Sequence, residues 1–199
     1  MTAHVWQVAL ACGGLVLGCA SPRERLYTLS GAEPPAAVTP PTLHVLVGPV
    51  TIPEAVDRPQ LVVRHNTVRL VALEQERWAE PLREAIPRVL SDVIGSKLPT
   101  ASVTRFGAAP ATRWDVRLLL NVTRFDAIPG ERVIIETHWW LQLTDDKAVP
   151  EGNSVARVPV QGGPQDYDAI VAAEAAGLAE IGAELARAIE RQAVRSATP

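Results

Sequence analysis

Apolar and polar residues first alternate clearly at Leu43-His44-Val45-Leu46-Val47, a run that Gly48-Pro49 closes. A period of two, rich in β-branched residues, marks a half-buried strand. Pro53 and Pro59 then frame a charged loop, Glu54-Ala55-Val56-Asp57-Arg58. Two short apolar runs follow, Leu61-Val62-Val63-Arg64 and Val68-Arg69-Leu70-Val71, joined through His65-Asn66-Thr67. They predict a hairpin, because asparagine accepts the left-handed backbone that a short connection needs. Next the period lengthens. Trp78, Leu82, Ile86, Val89 and Val93 fall on one face of a 3.6-residue repeat and predict a helix within Glu74–Leu98. Pro81 suits only a first turn, so the regular helix should begin between Arg77 and Glu80. Pro87 should kink it near Arg83 to Pro87, since an interior proline removes a hydrogen bond and crowds the preceding turn.

The second half of the domain also runs from strands to a helix, with no internal repeat of the first. Ser102 to Phe106 is a short strand, and Trp114 to Phe125 a longer one with Val116, Leu118, Leu120 and Val122 on one side. Ala127-Ile128-Pro129-Gly130 turns the chain. Arg132 to Leu143 returns with Val133, Ile135, Thr137, Trp139, Leu141 and Leu143 opposed to Ile134, Glu136, His138, Trp140 and Gln142. The simplest pairing is an antiparallel hairpin at the heart of a sheet. Ser154 to Val160 adds a strand that Pro159 marks as an edge or a strand end. After Gly162-Gly163-Pro164, Tyr167 to Arg191 is an alanine-rich helix. Its apolar stripe runs through Ile170, Leu178, Ile181, Leu185 and Ile189, with Glu180, Glu184, Arg187 and Arg191 on the wet side. The pattern predicts an α+β two-layer domain, a mixed or antiparallel sheet of about five to seven strands with two helices packed on one face.

Upstream of this domain, an apolar run from Val5 ends in Val16-Leu17-Gly18-Cys19. Small residues before a cysteine at the close of such a run are the pattern cut by a lipoprotein signal peptidase. On that reading residues 1–18 are a signal peptide and Cys19 is the lipid anchor. Residues 19–41 form a proline-rich tether and residues 42–195 the periplasmic domain. An ordinary secretory signal with a chance cysteine, or an uncut short helix, are the alternatives; the latter is interrupted by Gly13, Gly14 and Gly18. Met-Thr-Ala-His before Val5 lacks the usual positive charge. Ala20-Ser21 after the cysteine, with no Asp, points in a Gram-negative cell to the inner leaflet of the outer membrane, facing the periplasm. Ala20 to Pro41 holds five of the 17 prolines and reads as an extended spacer. Within it Leu26-Tyr27-Thr28-Leu29 is a strand-prone island expected to dock on the domain.

Composition excludes several chemistries. A net charge of -3, all of it outside the signal, is too mild for a nucleic-acid partner. Cys12 lies in the signal and Cys19 at the anchor, so the domain keeps no thiol for a disulfide or a thiolate metal site. Histidines 4, 44, 65 and 138 do not fall at metal-ligand spacing, and no serine elbow or phosphate-cradling glycine loop occurs. Asp145-Asp146 reads as a solvated turn, and Asn121-Val122-Thr123 as an accidental sequon. No catalytic residue, metal or cofactor is assigned. Arg58, Arg64, Trp78 and Trp140 are the candidate partner-contact residues. The plainer roles are ion pairing for the arginines and core filling for Trp78; Trp140 should face away from Trp139, where an exposed indole suits a protein or lipid contact.

Three ordered motifs carry a resemblance. Val47-Gly48-Pro49-Val50 with Ile52-Pro53, then Asp57-Arg58-Pro59-Gln60-Leu61-Val62-Val63-Arg64, then Arg77-Trp78-Ala79-Glu80-Pro81-Leu82 are similar to the PqiC (YmbA-type) family of ABC-type transport auxiliary lipoproteins. The resemblance covers the mature chain, most specifically residues 47 to 90. It implies a non-enzymatic part of a lipid-transport system linking two membranes, working with an MCE-domain protein and inner-membrane transport components. It implies that the lipoprotein docks or receives the periplasmic conduit, with a homo-oligomeric ring as one arrangement, and so supports membrane integrity. The rivals are a periplasmic lipid or cell-wall hydrolase, for instance with a serine beside His138, and an assembly lipoprotein of another outer-membrane complex.

Overall fold

The computed structural model describes residues 23–30, 33, 40–108, 113–144 and 150–196. Cys19 with the apolar run before it, most of the proline-rich stretch, and Asp145-Asp146 lie outside the described residues. In chain order the elements are β1 (Arg25–Tyr27), β2 (Leu43–Thr51), β3 (Gln60–Arg64), β4 (Leu70–Trp78) and α1 (Leu82–Lys97), followed by β5 (Ala101–Arg105), β6 (Val116–Ile128), β7 (Arg132–Leu143), β8 (Glu151–Pro159) and α2 (Tyr167–Ser196). The larger sheet has the order β5-β2-β6-β7-β8, and a smaller one the order β1-β4-β3. β2 runs parallel to both β5 and β6, whereas β6, β7 and β8 form an antiparallel meander. The class is α+β, as the pattern predicts, with its eight described strands divided between two sheets.

The alternation read from the sequence sets which face of the larger sheet is buried. Val45 and Val47 of β2, Val116, Leu118, Leu120 and Val122 of β6, and Val133, Ile135, Trp139 and Leu141 of β7 turn toward the helices. Each such side chain removed from water contributes about 1.5–3 kcal/mol. A register shift between Val122 and Arg124 inserts one residue into β6, after which Phe125 and Ala127 become the buried positions. α1 packs over β2 and β5, α2 over β6, β7 and β8, and the two helices pack on each other.

The sequence pattern misplaces one boundary. Glu74–Trp78, predicted to lie in or before the first helical turn, is the second half of β4, and α1 begins only at Leu82. Trp78 stands four residues before Leu82, so it fits a helical stripe as well as it fits alternation with Glu76. Tertiary pairing decides between them: β1 lies alongside Glu76–Trp78 in parallel and satisfies backbone that a helix would have satisfied internally. Pro81 is the residue that caps the helix rather than one inside its first turn, its carbonyl accepting from the N–H groups of Glu84 and Ala85. α1 then continues through Pro87 to Lys97. α2 is capped by Asp166, whose side chain accepts the Ala169 N–H at 3.0 Å.

The Leu26-Tyr27-Thr28-Leu29 island docks as expected, for Tyr27 and Leu29 are buried and β1 is an edge strand of the smaller sheet. The predicted β3–β4 hairpin is present with Arg64 opposite Leu70. Its asparagine works through its side chain: Asn66 Oδ1 accepts the N–H groups of Val68 at 3.0 Å and Arg69 at 2.8 Å.

Two features of α2 have measurable consequences. A Cβ at Gly182 would stand 2.7 Å from Val93 Cγ1, so this glycine lets the helices approach closely. Gly182→Leu should lower stability by about 1–3 kcal/mol through overpacking, read as a reduced urea midpoint; an unchanged midpoint would show that the helices part freely. Glu174 lies on the core stripe between Ile170 and Leu178, fully buried, and its Oε2 has no hydrogen-bond partner among the described residues. Burial pushes its carboxyl up to about 8. An acid raised in the folded state is tolerated at low pH, where both states hold the proton, and costs stability as pH rises above its unfolded value near 4.5. The penalty is complete once pH passes the folded value. Glu174→Gln should therefore match the parent at pH 4 and exceed it by up to about 5 kcal/mol above pH 8 in urea titrations.

Candidate functional site

Asp57-Arg58-Pro59 and Trp78-Ala79-Glu80-Pro81, from two of the segments singled out in the sequence, converge on the end of the smaller sheet. Pro53 and Glu54 carbonyls accept from Val56 and Asp57, so the loop before β3 is a tight turn that delivers Arg58 and Pro59 to the last residue of β4. Trp78 N–H donates to the Pro59 carbonyl at 2.7 Å, and Ala79 N–H to the Tyr27 carbonyl at 2.8 Å. Arg83, in the first turn of α1, pairs with Asp57 at 3.2 Å. Arg88 bonds to Glu80 and also donates to the Leu29 carbonyl at 2.9 Å, closing the junction from below. The result is a cleft of about 220 Å³ lined by Asp57, Arg58, Pro59, Trp78, Glu80 and Arg83. Arg58 and Trp78 are thus brought together. Trp78 is only 6 % exposed, so it forms the floor of this cleft as a core residue, while Arg58 is exposed.

Arg64 lies elsewhere, at the base of the β3–β4 turn. Its Nε and Nη2 donate to the two carboxylate oxygens of Asp126, each at 2.8 Å, and Arg124 Nε donates to the same carboxylate at 2.6 Å. Arg124 also reaches Glu136, which Arg157 approaches at 3.8 Å. Burial raises the Asp126 carboxyl, but the hydrogen bonds from Arg64 and Arg124 outweigh it and hold the group below its ordinary value. This network walls a groove of about 720 Å³ bounded also by Ile134 and Leu70. The bidentate fork spans two sheets, tying the hairpin to the face of β6 turned away from the helices.

Trp140 lies on that same outer face, half-buried, opposite Leu119 and edge-on to His138 with ring centroids 4.3 Å apart. Trp139 faces the core, its Nε1 donating to Ser154 Oγ at 3.1 Å, so the two indoles do point oppositely. Arg117 stacks over the exposed Phe106 ring at 5.0 Å on the same sheet. The neighbours of His138 are Asn153 at 2.8 Å and Glu151 at 3.8 Å, rather than a serine. At the opposite end of the sheet His44 donates its backbone N–H to Asp115 at 2.8 Å and sets Nδ1 3.0 Å from the same oxygen. Burial pushes Asp115 up, yet the bonds from His44 keep its carboxyl low. Among the described residues no group of three or more His, Cys, Asp or Glu side chains is placed to hold a metal.

Sequence reasoning missed Glu76 and Asp126. Glu76 is buried, accepting from Tyr27 Oη at 2.7 Å and from Arg25 Nε at 3.1 Å. The available signal was its place two residues before Trp78 on an alternating strand. For Asp126 it was the arginine two residues earlier on β6.

A family model described as ABC-type transport auxiliary lipoprotein component matches residues 27–186. Among solved structures, the crystal structure of an uncharacterized protein is 22% identical with a TM-score of 0.72, covering 84% of this chain and 99% of that one. The crystal structure of protein XCC0632 from Xanthomonas campestris is 20% identical with a TM-score of 0.66, covering 81% of this chain and 92% of that one. At such identities the likeness is one of fold. No curated protein matches.

Arg64→Ala should destabilise the domain by about 1–3 kcal/mol at pH 7, because Asp126 stays buried with one partner removed. A carboxyl whose pKa is depressed on folding stabilises above its unfolded value and loses that contribution as pH falls through its folded value. The deficit of the variant should therefore shrink in urea titrations at pH 3, and an equal deficit at both pH values would refute the ion-pair account.

Proposed function

This chain belongs to the ABC-type transport auxiliary lipoprotein family, and from that membership we propose that it is the outer-membrane lipoprotein subunit of an MCE-type intermembrane lipid transport system. It is anchored through acylated Cys19 in the inner leaflet and docks or receives a periplasmic conduit, without itself catalysing a reaction. Inner-membrane transport components drive the same system, and several copies of this chain in a ring would match a tubular partner. The observation that carries the reading is the family match across residues 27–186, following Val16-Leu17-Gly18-Cys19 in one chain. The geometry supports it in a second way. Two of the three segments behind the resemblance to the PqiC family, Asp57–Arg64 and Arg77–Leu82, meet in one cleft with Arg58 at its rim, as a surface for a protein partner would require.

The anchor sets what the domain does. Each buried methylene of an acyl chain is worth about 0.8 kcal/mol, so two or three chains hold the protein at the bilayer almost permanently. A conduit that meets this domain is thereby held at its destination leaflet. Cys19→Ser, and a second form exported by a plain secretory signal, should fold with an unchanged circular dichroism spectrum. Both should remain soluble in the periplasm and fail to restore detergent resistance to a deletion strain. Full rescue by either soluble form would overturn the reading, as would turnover of a lipid or cell-wall substrate by the purified protein.

A further inference from the structure

The parallel pairing of β1 with β4 fixes the direction in which the chain leaves the domain. Arg25 lies beside Glu76 and Tyr27 beside Trp78. Arg23 and Glu24 therefore lie toward the Leu70 end of β4 and the turn formed by His65–Arg69. Glu24 keeps to that path, its carboxylate accepting from Arg77 Nη1 at 2.6 Å. Cys19 is six residues before Arg25, a reach of about 20 Å even when fully extended. Leu70 is likewise six residues before Glu76, about 20 Å of strand. A bilayer that holds Cys19 lies within that reach of Arg25, and the β3–β4 turn stands at the same distance.

The turn is built for such a contact. Val68 is 90 % exposed and Leu70 37 %, with Arg69 between them. The loop is braced: Asn66 Oδ1 accepts two backbone N–H groups, His65 N–H donates to the Arg69 carbonyl at 2.9 Å, and Arg64 at the base is clamped by Asp126. A rigid turn that projects a valine into water beside an arginine presents an apolar tip for the acyl boundary and a cation for lipid phosphates. So small a contact suffices, because the lipid anchor already makes it an intramolecular event.

We propose that the β3–β4 turn, through Val68 with Arg69 and Leu70 beside it, rests in the headgroup region of the bilayer that holds Cys19. The proposal rests on the reading of Cys19 as the acylated anchor. It orients the molecule: the cleft at Arg58 and Trp78 lies at the other end of β4 and faces away from the membrane, toward the periplasm.

Val68→Cys supplies one labelling site in the mature acylated chain, since Cys12 is lost with the signal and Cys19 is modified. An environment-sensitive fluorophore at this position, in the full-length lipoprotein reconstituted into phosphatidylethanolamine and phosphatidylglycerol vesicles, should emit at shorter wavelength than in solution. Nitroxide-headgroup lipids should quench it at least about twofold more than the same label at Arg187→Cys, on the exposed side of α2. Equal quenching at both positions, in a chain whose N-terminal peptide carries acyl groups by mass spectrometry, overturns the proposal and leaves the anchor intact. A label that becomes protected only on adding a second copy or a conduit protein also overturns it, because the turn is then a protein interface. An unmodified Cys19 overturns the anchor itself and this proposal with it.

Discussion

The buried carboxylate of Glu76 is the interaction on which the placement of the whole domain depends. β1 is three residues long, too short for its ladder alone to hold it against fraying. Glu76 supplies the rest, accepting from Tyr27 on one oxygen and from Arg25 on the other, while Arg25 also lies 5.8 Å over the Tyr167 ring at the start of α2. An unpaired carboxylate in that position would be costly, so the strand and the charge stabilise each other. Burial and the neighbouring Glu76 together push the Tyr27 phenol well above its ordinary value, which keeps it a hydrogen-bond donor at any physiological pH. Through this knot the Arg25–Tyr27 strand is tied to both the smaller sheet and the helical layer.

The division into two sheets follows from how the chain spends its apolar surface. The larger sheet buries one face under both helices, and the smaller sheet is fastened to the outer face of β6 by Arg64 on Asp126, a carboxylate that Arg124 of β6 also holds. That leaves the candidate surfaces on two sides. The Arg58 cleft sits where β3 begins and β4 ends, and the half-exposed Trp140 with Leu119 lies on the open sheet face. The helical layer presents Glu180, Arg187 and Arg191 to solvent. The clefts here are walled by side chains that pair with one another, as Arg83 does with Asp57 and Arg64 with Asp126.

Helix and strand types for the long, strongly periodic segments were legible in the sequence because side-chain burial follows directly from a period of two or 3.6. β6, β7 and α2 came out with their buried faces assigned, including the opposed Trp139 and Trp140, and so did the docking of Tyr27. What the period leaves ambiguous is a residue that satisfies both patterns, and Trp78 is that residue. Its strand conformation depends on β1, some fifty residues away, offering hydrogen-bond partners that local sequence does not contain. The same limit hid the site. Composition nominated Arg58, Arg64, Trp78 and Trp140 one at a time, but only folding could place Arg58 above Trp78, give Arg64 its Asp126, and set Trp140 on a separate face. By itself, then, the sequence determined the α+β class, the core stripes and the family motifs, since these rest on local periodicity and short spacings. Tertiary structure alone decided where the helix begins, which charges are buried in pairs, and that β1 runs parallel to β4, because each depends on contacts between segments far apart in the chain.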